Sequence, residues 1–213
     1  MKTYKNCASP LQYHPLQYSL KWRAGPTSGS FESYGKKDYL LAVKKALKEN
    51  KRFVLLNLTL RKKTSAHANA IIFDTKTGVL ERFDPHGHTT PKFNPQRLDA
   101  ALERMLRPVL KFKQFYTNTV MCPQVYNNWY GQAKTGDPGG FCKMWVLWYQ
   151  SMKVKFPNVT SKNLMEKMTS EIPQTQFKHF IRNYTAFVMK TIFKQVPSCK
   201  KGGDLKKCVN EFF

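Results

Sequence analysis

Cys142 sits where a turn runs into a strongly apolar segment, Asp137-Pro-Gly-Gly-Phe-Cys-Lys-Met-Trp-Val-Leu-Trp-Tyr-Gln150. A thiol in that place can pack, ligate a metal, form half a disulfide, or attack an electrophile. Attack requires the thiolate, which the N-terminus of a helix favours. Gly139 and Gly140 allow a tight approach and leave the sulfur unobstructed. Met144, Trp145, Leu147 and Trp148 would bury the helix behind it and hold its first turn in place. Taken alone, packing is the favoured reading, because free cysteines commonly serve as small buried hydrophobes.

A nucleophilic thiol also needs a base and something to orient that base. Of the five histidines (His14, His67, His86, His88 and His179), His67 lies at the entry of a segment with strand character. Ala68 to Asp74 and Val79 to Asp84 flank a Gly-containing turn and read as a β-hairpin. If Thr75 and Lys76 form the turn, His67 faces Asp84 directly; a looser register leaves them diagonal neighbours on one face. With Gly78 in a bulge they would fall on opposite faces. A carboxylate beside the ring would fix its tautomer and stabilise its cation, which in turn favours the thiolate. Asp74 is expected in the turn, and Glu81 points to the other face from Asp84. His86 and His88, in Asp84-Pro-His-Gly-His88, read as a polar loop, with a metal role left open but no third ligand evident. An oxyanion donor is the last requirement. Gln132, ten residues before Cys142, can supply it beside the Cys142 backbone N–H; Gln124 is the rival.

The elements that must position these groups follow from periodicity. Residues 1–37 are expected to form an irregular lead-in packed on the body by Leu11, Tyr13, Leu16 and Trp22. Asp38 to Asn50 has helical apolar spacing, with an acid first and lysines late. Phe53 to Leu60 is a β-branched and apolar run of strand length. Asn94 to Arg107 predicts a helix ending before Pro108, and residues 109–118 a further strand. Cys122 to Gly140 reads as loop, and about 141–155 as the apolar helix. Residues 160–213 form a C-terminal helical part, with helices at Asn163 to Met168 and Thr175 to Val196. The order implies a single domain over 1–213 of the α+β class. Its small central sheet is expected to be mostly antiparallel and flanked by helices.

Composition bounds the setting. The chain has 213 residues, 41% hydrophobic and 14% aromatic, which suits a folded core rather than disorder. Its net charge of +23, from 36 Lys and Arg against 13 Asp and Glu, makes nucleic acid the first partner to consider. The basic residues recur along the chain, so a lysine-rich solvated surface and a polyanion-binding face both fit. Five cysteines at irregular spacing, with no CxxC pair, argue against a disulfide framework or a structural zinc. No apolar stretch suits a secretory signal or a bilayer span. A reducing, intracellular-type compartment is the expectation, with no membrane partner.

At this point two segments resemble a known family. HANAIIFDTKTGVLERFDPHG (67–87) and GQAKTGDPGGFCKMWVLWY (131–149) carry His, acid, Gln and Cys in the order of the adenovirus maturation protease and its wider superfamily, which includes SUMO-specific proteases. The His-to-acid interval and the ending DPHG are similar to the adenoviral enzyme. The His-Ala-Asn beginning and the GGFC helix resemble thiol proteases of large double-stranded DNA viruses. Two departures stand out: Ala68 where many relatives carry Trp, and a longer interval from Gln132 to Cys142. The resemblance implies a papain-like fold in permuted order, with His67 as general base, Asp84 orienting it, Cys142 as nucleophile and Gln132 completing the oxyanion hole. It further implies cleavage after small residues (Gly-Gly or Gly-X) in viral structural precursors, in the virion or host cytoplasm. No cofactor is needed for the chemistry, and DNA would act as an activating polyanion. Two other readings share the fold: a non-catalytic virion structural or DNA-packaging protein, and a deconjugase of a ubiquitin-like modifier.

Overall fold

The computed structural model describes residues 7–8, 19–24, 29–31, 41, 43–45, 47–62, 65–87, 94–117, 123 and 141–195. Its strands are β1 (Cys7–Ala8), β2 (Ser19–Ala24), β3 (Gly29–Phe31), β4 (Phe53–Lys62), β5 (Ser65–Asp74), β6 (Val79–Phe83) and β7 (Gln114–Thr117). The helices are α1 (Pro95–Leu110), α2 (Cys142–Lys155), α3 (Ser161–Glu171) and α4 (Phe177–Gln195), with a short 3-10 turn at Gln174–Gln176. Helical residues also lie between positions 41 and 48.

All seven strands join one sheet in the order β3-β2-β4-β5-β6-β7, with β1 also alongside β4. The β4–β5–β6 centre is antiparallel, as the hairpin predicts. The sheet as a whole is mixed, which corrects the expectation of a small, mostly antiparallel one. β1 and β2 pair with β4 in parallel, and β7 pairs with β6 in parallel. Parallel neighbours require a crossover, and α1 supplies it between β6 and β7. Helical residues lie in the 41–48 stretch between β3 and β4. Three of the strands come from the stretch expected to be an irregular lead-in.

Both faces of the sheet are covered. On one, Phe53, Leu55, Ala68, Ala70, Ile72 and Phe83 pack against α2, α3 and α4 through Trp145, Tyr149, Met165, Phe177 and Ile181. On the other, Val54, Leu56, Leu58, Ile71, Phe73 and Leu80 pack against α1 and Val43. A β4 buried on both faces needs no polar alternation, which is why Phe53-Val-Leu-Leu56 reads as a continuous apolar run.

α1 begins at Asn94, whose side chain accepts a hydrogen bond from the Arg97 N–H, with Pro95 in the first turn. It does not stop before Pro108 but runs to Leu110, where Lys111 closes it in the left-handed conformation at φ 49°. The reason is packing. Leu98, Leu102, Leu106 and Leu110 recur every fourth residue and all are buried against the sheet, each contributing roughly 2 kcal/mol of burial. Ending the helix at Arg107 would forfeit the last of them, so burial outweighs the one hydrogen bond that Pro108 cannot donate. The strand that follows is correspondingly shorter than residues 109–118.

Candidate active site

The hairpin register decides whether His67 and Asp84 can meet. Asp74 pairs with Val79 and Ala70 with Phe83, so the loop is the four residues 75–78 rather than two. The Asp74 carboxylate is consumed at this end: Oδ1 accepts from the Lys76 N–H at 2.9 Å, and Arg52 grips both oxygens. Gly78 takes φ +73° to close the turn. Carried to the other end, this register makes His67 and Asp84 diagonal neighbours on the face that α1 covers, the looser of the two same-face arrangements.

At that end β5 outruns β6. The pairing of β5 with β6 stops at Phe83, while β5 continues along β4 through His67, opposite Leu60. Pro85 cannot continue a ladder, and Asp84-Pro85-His86-Gly87 folds back as a turn, with the Gly87 N–H bonding the Asp84 carbonyl at 3.0 Å and Gly87 at φ +67°. The turn carries Asp84 to the ring: His67 Nε2 lies 2.6 Å from Asp84 Oδ1, with both residues buried. The same oxygen accepts the His86 backbone N–H at 2.8 Å. The His86 ring stands edge-on to that of His67, with centroids 4.6 Å apart.

Cys142 is the first residue of α2, as the apolar run predicts, and is a free thiol rather than half a disulfide. No side chain caps α2, and no acidic residue lies in its first turn, so its leading N–H groups are left for another acceptor. The Cys142 sulfur fills that role. It is hydrogen bonded to the His67 ring and takes the backbone N–H groups of Lys143 and of Ala68 on β5. With Nε2 held by Asp84, the ring nitrogen that remains for the sulfur is Nδ1. Behind it Trp145 is fully buried, meeting Trp148 edge-on and stacking on Phe180.

The electrostatics follow from this contact order. Burial alone would push the Cys142 thiol up, but the His67 hydrogen bond and charge, then the two N–H groups, bring it below its ordinary 9.0. Burial alone would likewise lower His67. The hydrogen bonds to Asp84 and Cys142 and the charges of both overcome it and raise His67 from 6.5 to about 9. Asp84 is held below the usual carboxylate range despite burial by His67, then by the charge of Arg82 and the His86 N–H. All three shifts run the same way, toward carboxylate, imidazolium and thiolate. Such a line can attack a carbonyl carbon with sulfur and deliver a proton from nitrogen.

Three of the four sequence-derived site residues are thus brought together. Gln132, its rival Gln124, and His88 lie outside the described residues. Glu81 falls on the opposite face from Asp84, as expected. There it accepts hydrogen bonds from Tyr149 and Ser161, with Lys153 at 3.6 Å, and ties β6 to α2 and α3. Among the described residues, no three His, Cys, Asp or Glu side chains are arranged to hold a metal. No helix among them is long and apolar enough to cross a membrane.

Sequence reasoning missed Arg82. It is 1% exposed, forks onto Asp99 of α1 at 2.5 and 3.0 Å, and reaches Asn69 Oδ1 at 2.7 Å and Asp84 Oδ2 at 3.5 Å. Its signal was in the strand alternation: Leu80, Arg82 and Asp84 share one face, and a charged pair on a face otherwise apolar implies a buried network.

A scan against models of known protein families finds none that matches this chain. In an alignment of length 156 that covers 63% of this chain, the sequence is 26% identical to a protein of Acanthamoeba polyphaga mimivirus named as an ankyrin repeat protein. The match takes in 20% of that protein, so the chain spans about a fifth of its viral relative's length. An ankyrin repeat is a stacked pair of helices. The described residues instead build helices on both faces of a mixed sheet, so the similarity is to a viral protein whose name describes a different architecture.

Proposed function

We propose that this chain is a thiol endopeptidase that cleaves after small residues, of the Gly-Gly or Gly-X type, in viral structural precursor proteins. The observation that carries the reading is the convergence of Asp84, His67 and Cys142, with Nε2 to Oδ1 at 2.6 Å and the thiol on the same ring. Cys142 attacks the scissile carbonyl to form a tetrahedral oxyanion. The Cys142 backbone N–H and the Gln132 amide are its donors. Collapse expels the amine, which leaves with the proton held by His67, and a thioester remains. Water, deprotonated by His67, then hydrolyses the thioester and frees Cys142. Asp84 keeps the ring oriented throughout and stabilises its cation. A cysteine opening a helix that packs on a sheet, with His and Asp at the end of adjacent strands, suits a permuted papain-like fold. The viral origin of the relative suits the virus setting.

The test is a peptide aldehyde or vinyl ester ending in Gly, incubated with the full chain with and without DNA. Modification at Cys142, lost in Cys142→Ala, is the expected outcome. An unmodified Cys142 in folded protein, or a Cys142→Ala variant that still cleaves, overturns the proposal.

The same proposal assigns DNA to the basic surface. The net charge is +23, and α1 exposes Arg97, Arg104 and Arg107 along its outer side, with Lys111 at its end. DNA affinity should fall steeply with salt and show little sequence preference. Salt-insensitive binding refutes this part.

A further inference from the structure

We propose that Arg82 is a positioning residue for the site, fixing the plane and the charge of Asp84 and, through it, the orientation of His67. This rests on the reading of Cys142 as a nucleophile. The two Asp84 oxygens have separate tasks. Oδ1 accepts from His67 at 2.6 Å and from the His86 N–H at 2.8 Å, which leaves Oδ2 to face Arg82 Nη1 at 3.5 Å. A carboxylate held at both oxygens cannot rotate without losing one partner. The guanidinium is itself immobile. Its Nε and Nη2 fork onto Asp99, and Thr117 Oγ1 of β7 donates to the same aspartate at 2.7 Å. Asn69 turns its oxygen to Nη1 at 2.7 Å and leaves its own Nδ2 buried without a partner, so its orientation follows the cation.

Stability alone does not account for a charge in this place. Arg82 lies opposite Ile71 in the register and beside Leu80 on the same face, where an apolar side chain would pack without desolvating a cation. The arrangement instead sets charges in sequence: Asp99, Arg82, Asp84, His67 and Cys142 alternate in sign from α1 through the end of the sheet to α2. Removing the second member takes a cation out of the line and leaves Asp84 Oδ2 without its partner. Loss of that positive charge disfavours the thiolate at the far end, and a carboxylate held at one oxygen alone no longer fixes the ring.

The experiment measures the rate of Cys142 alkylation by iodoacetamide against pH, by peptide mapping of the full chain. The variants are Arg82→Gln, the double variant Arg82→Gln/Asp99→Asn, and Arg52→Gln. In both Arg82 variants the acid limb should move upward by about half a unit or more, with the rate at pH 6 falling at least about threefold. The double variant leaves no charge orphaned at Asp99 and decides the matter if Arg82→Gln does not fold. Arg52→Gln breaks a comparable ion pair, with Asp74, at the far end of the hairpin. It should lower the melting temperature and leave the limb in place. An acid limb unmoved in the Arg82 variants, or moved equally by Arg52→Gln, overturns the inference. A parent protein whose Cys142 titrates like an ordinary thiol overturns the nucleophile reading instead, so the two failures are distinguishable.

Discussion

Removing the thiol should make the stability of this protein newly sensitive to alkali. His67 is raised from 6.5 to about 9, a difference corresponding to roughly 3 kcal/mol. For a raised histidine, that stabilisation is fully present below pH 6.5 and is lost as pH rises through about 9. Cys142 is lowered from 9.0 and has the opposite sign. Its contribution is present above 9.0 and is lost as pH falls through the lowered value. Between about 6.5 and 9.0 the unfolded chain keeps the sulfur proton and loses the ring proton, whereas folding favours the reverse. The two shifts change the proton count in opposite senses, so the thiol offsets the slope that the ring alone would give. In Cys142→Ala only the ring remains, still beside Asp84, and the folded state carries the extra proton. Part of the His67 shift comes from Cys142 itself, so the variant should lose stability from pH 6.5 upward by less than the full shift would give, on the order of 1 kcal/mol at pH 9. With a urea m-value of about 2 kcal/mol/M, that is a fall in midpoint of about 0.5 M relative to parent. Urea titrations of both proteins at pH 6.5, 7.5 and 9, followed by tryptophan fluorescence, give the difference curve, in which all other titrating groups cancel. Parallel curves would show that thiol and imidazole do not share a proton, and the reasoning fails.

Other outcomes follow from the same contacts. Asp84→Asn removes the leading support of the His67 cation, so the His67 titration followed by NMR should drop from about 9 by at least roughly one unit; an unmoved titration rejects the pairing. Tyr149→Phe takes one donor from buried Glu81, which should cost about 1 to 3 kcal/mol and several degrees of melting temperature. Cys142 alkylation should not change with it. Gly78→Ala forces a side chain into φ +73° with its Cβ 3.1 Å from Lys113 Cγ, and chemical denaturation should register a loss of about 1 kcal/mol.

The parts legible in the sequence are those set by neighbours along the chain. Alternation and a Gly-containing turn are local, so the hairpin and the facing of His67 and Asp84 could be read. Glycines followed by an unbroken apolar run are local too, and they marked Cys142 as the head of a helix. What escaped depends on distant partners. Nothing in Ser19–Ala24 or Gln114–Thr117 announces that these strands pair in parallel across a crossover. The persistence of α1 through Pro108 depends on a sheet surface that Leu110 can bury against. Arg82 went unmarked because its partners, Asn69 and Asp99, come from other elements.

The site draws on both layers of the molecule. His67 and Asp84 lie on the face that α1 covers, whereas Cys142 heads a helix packed on the other, and the sulfur meets the ring beside the stretch of β5 that β6 leaves unpaired. Neither half-structure on its own contains an activated thiol. A nascent chain with one layer docked and the other open therefore exposes a cysteine of ordinary reactivity. On the proposed reading, the thiol gains its nucleophilic character only once both layers are docked. Cys142 acidity is for the same reason a reporter of assembly: any lesion that separates the layers, however far from the sulfur, should register there as a thiol that titrates like a free one.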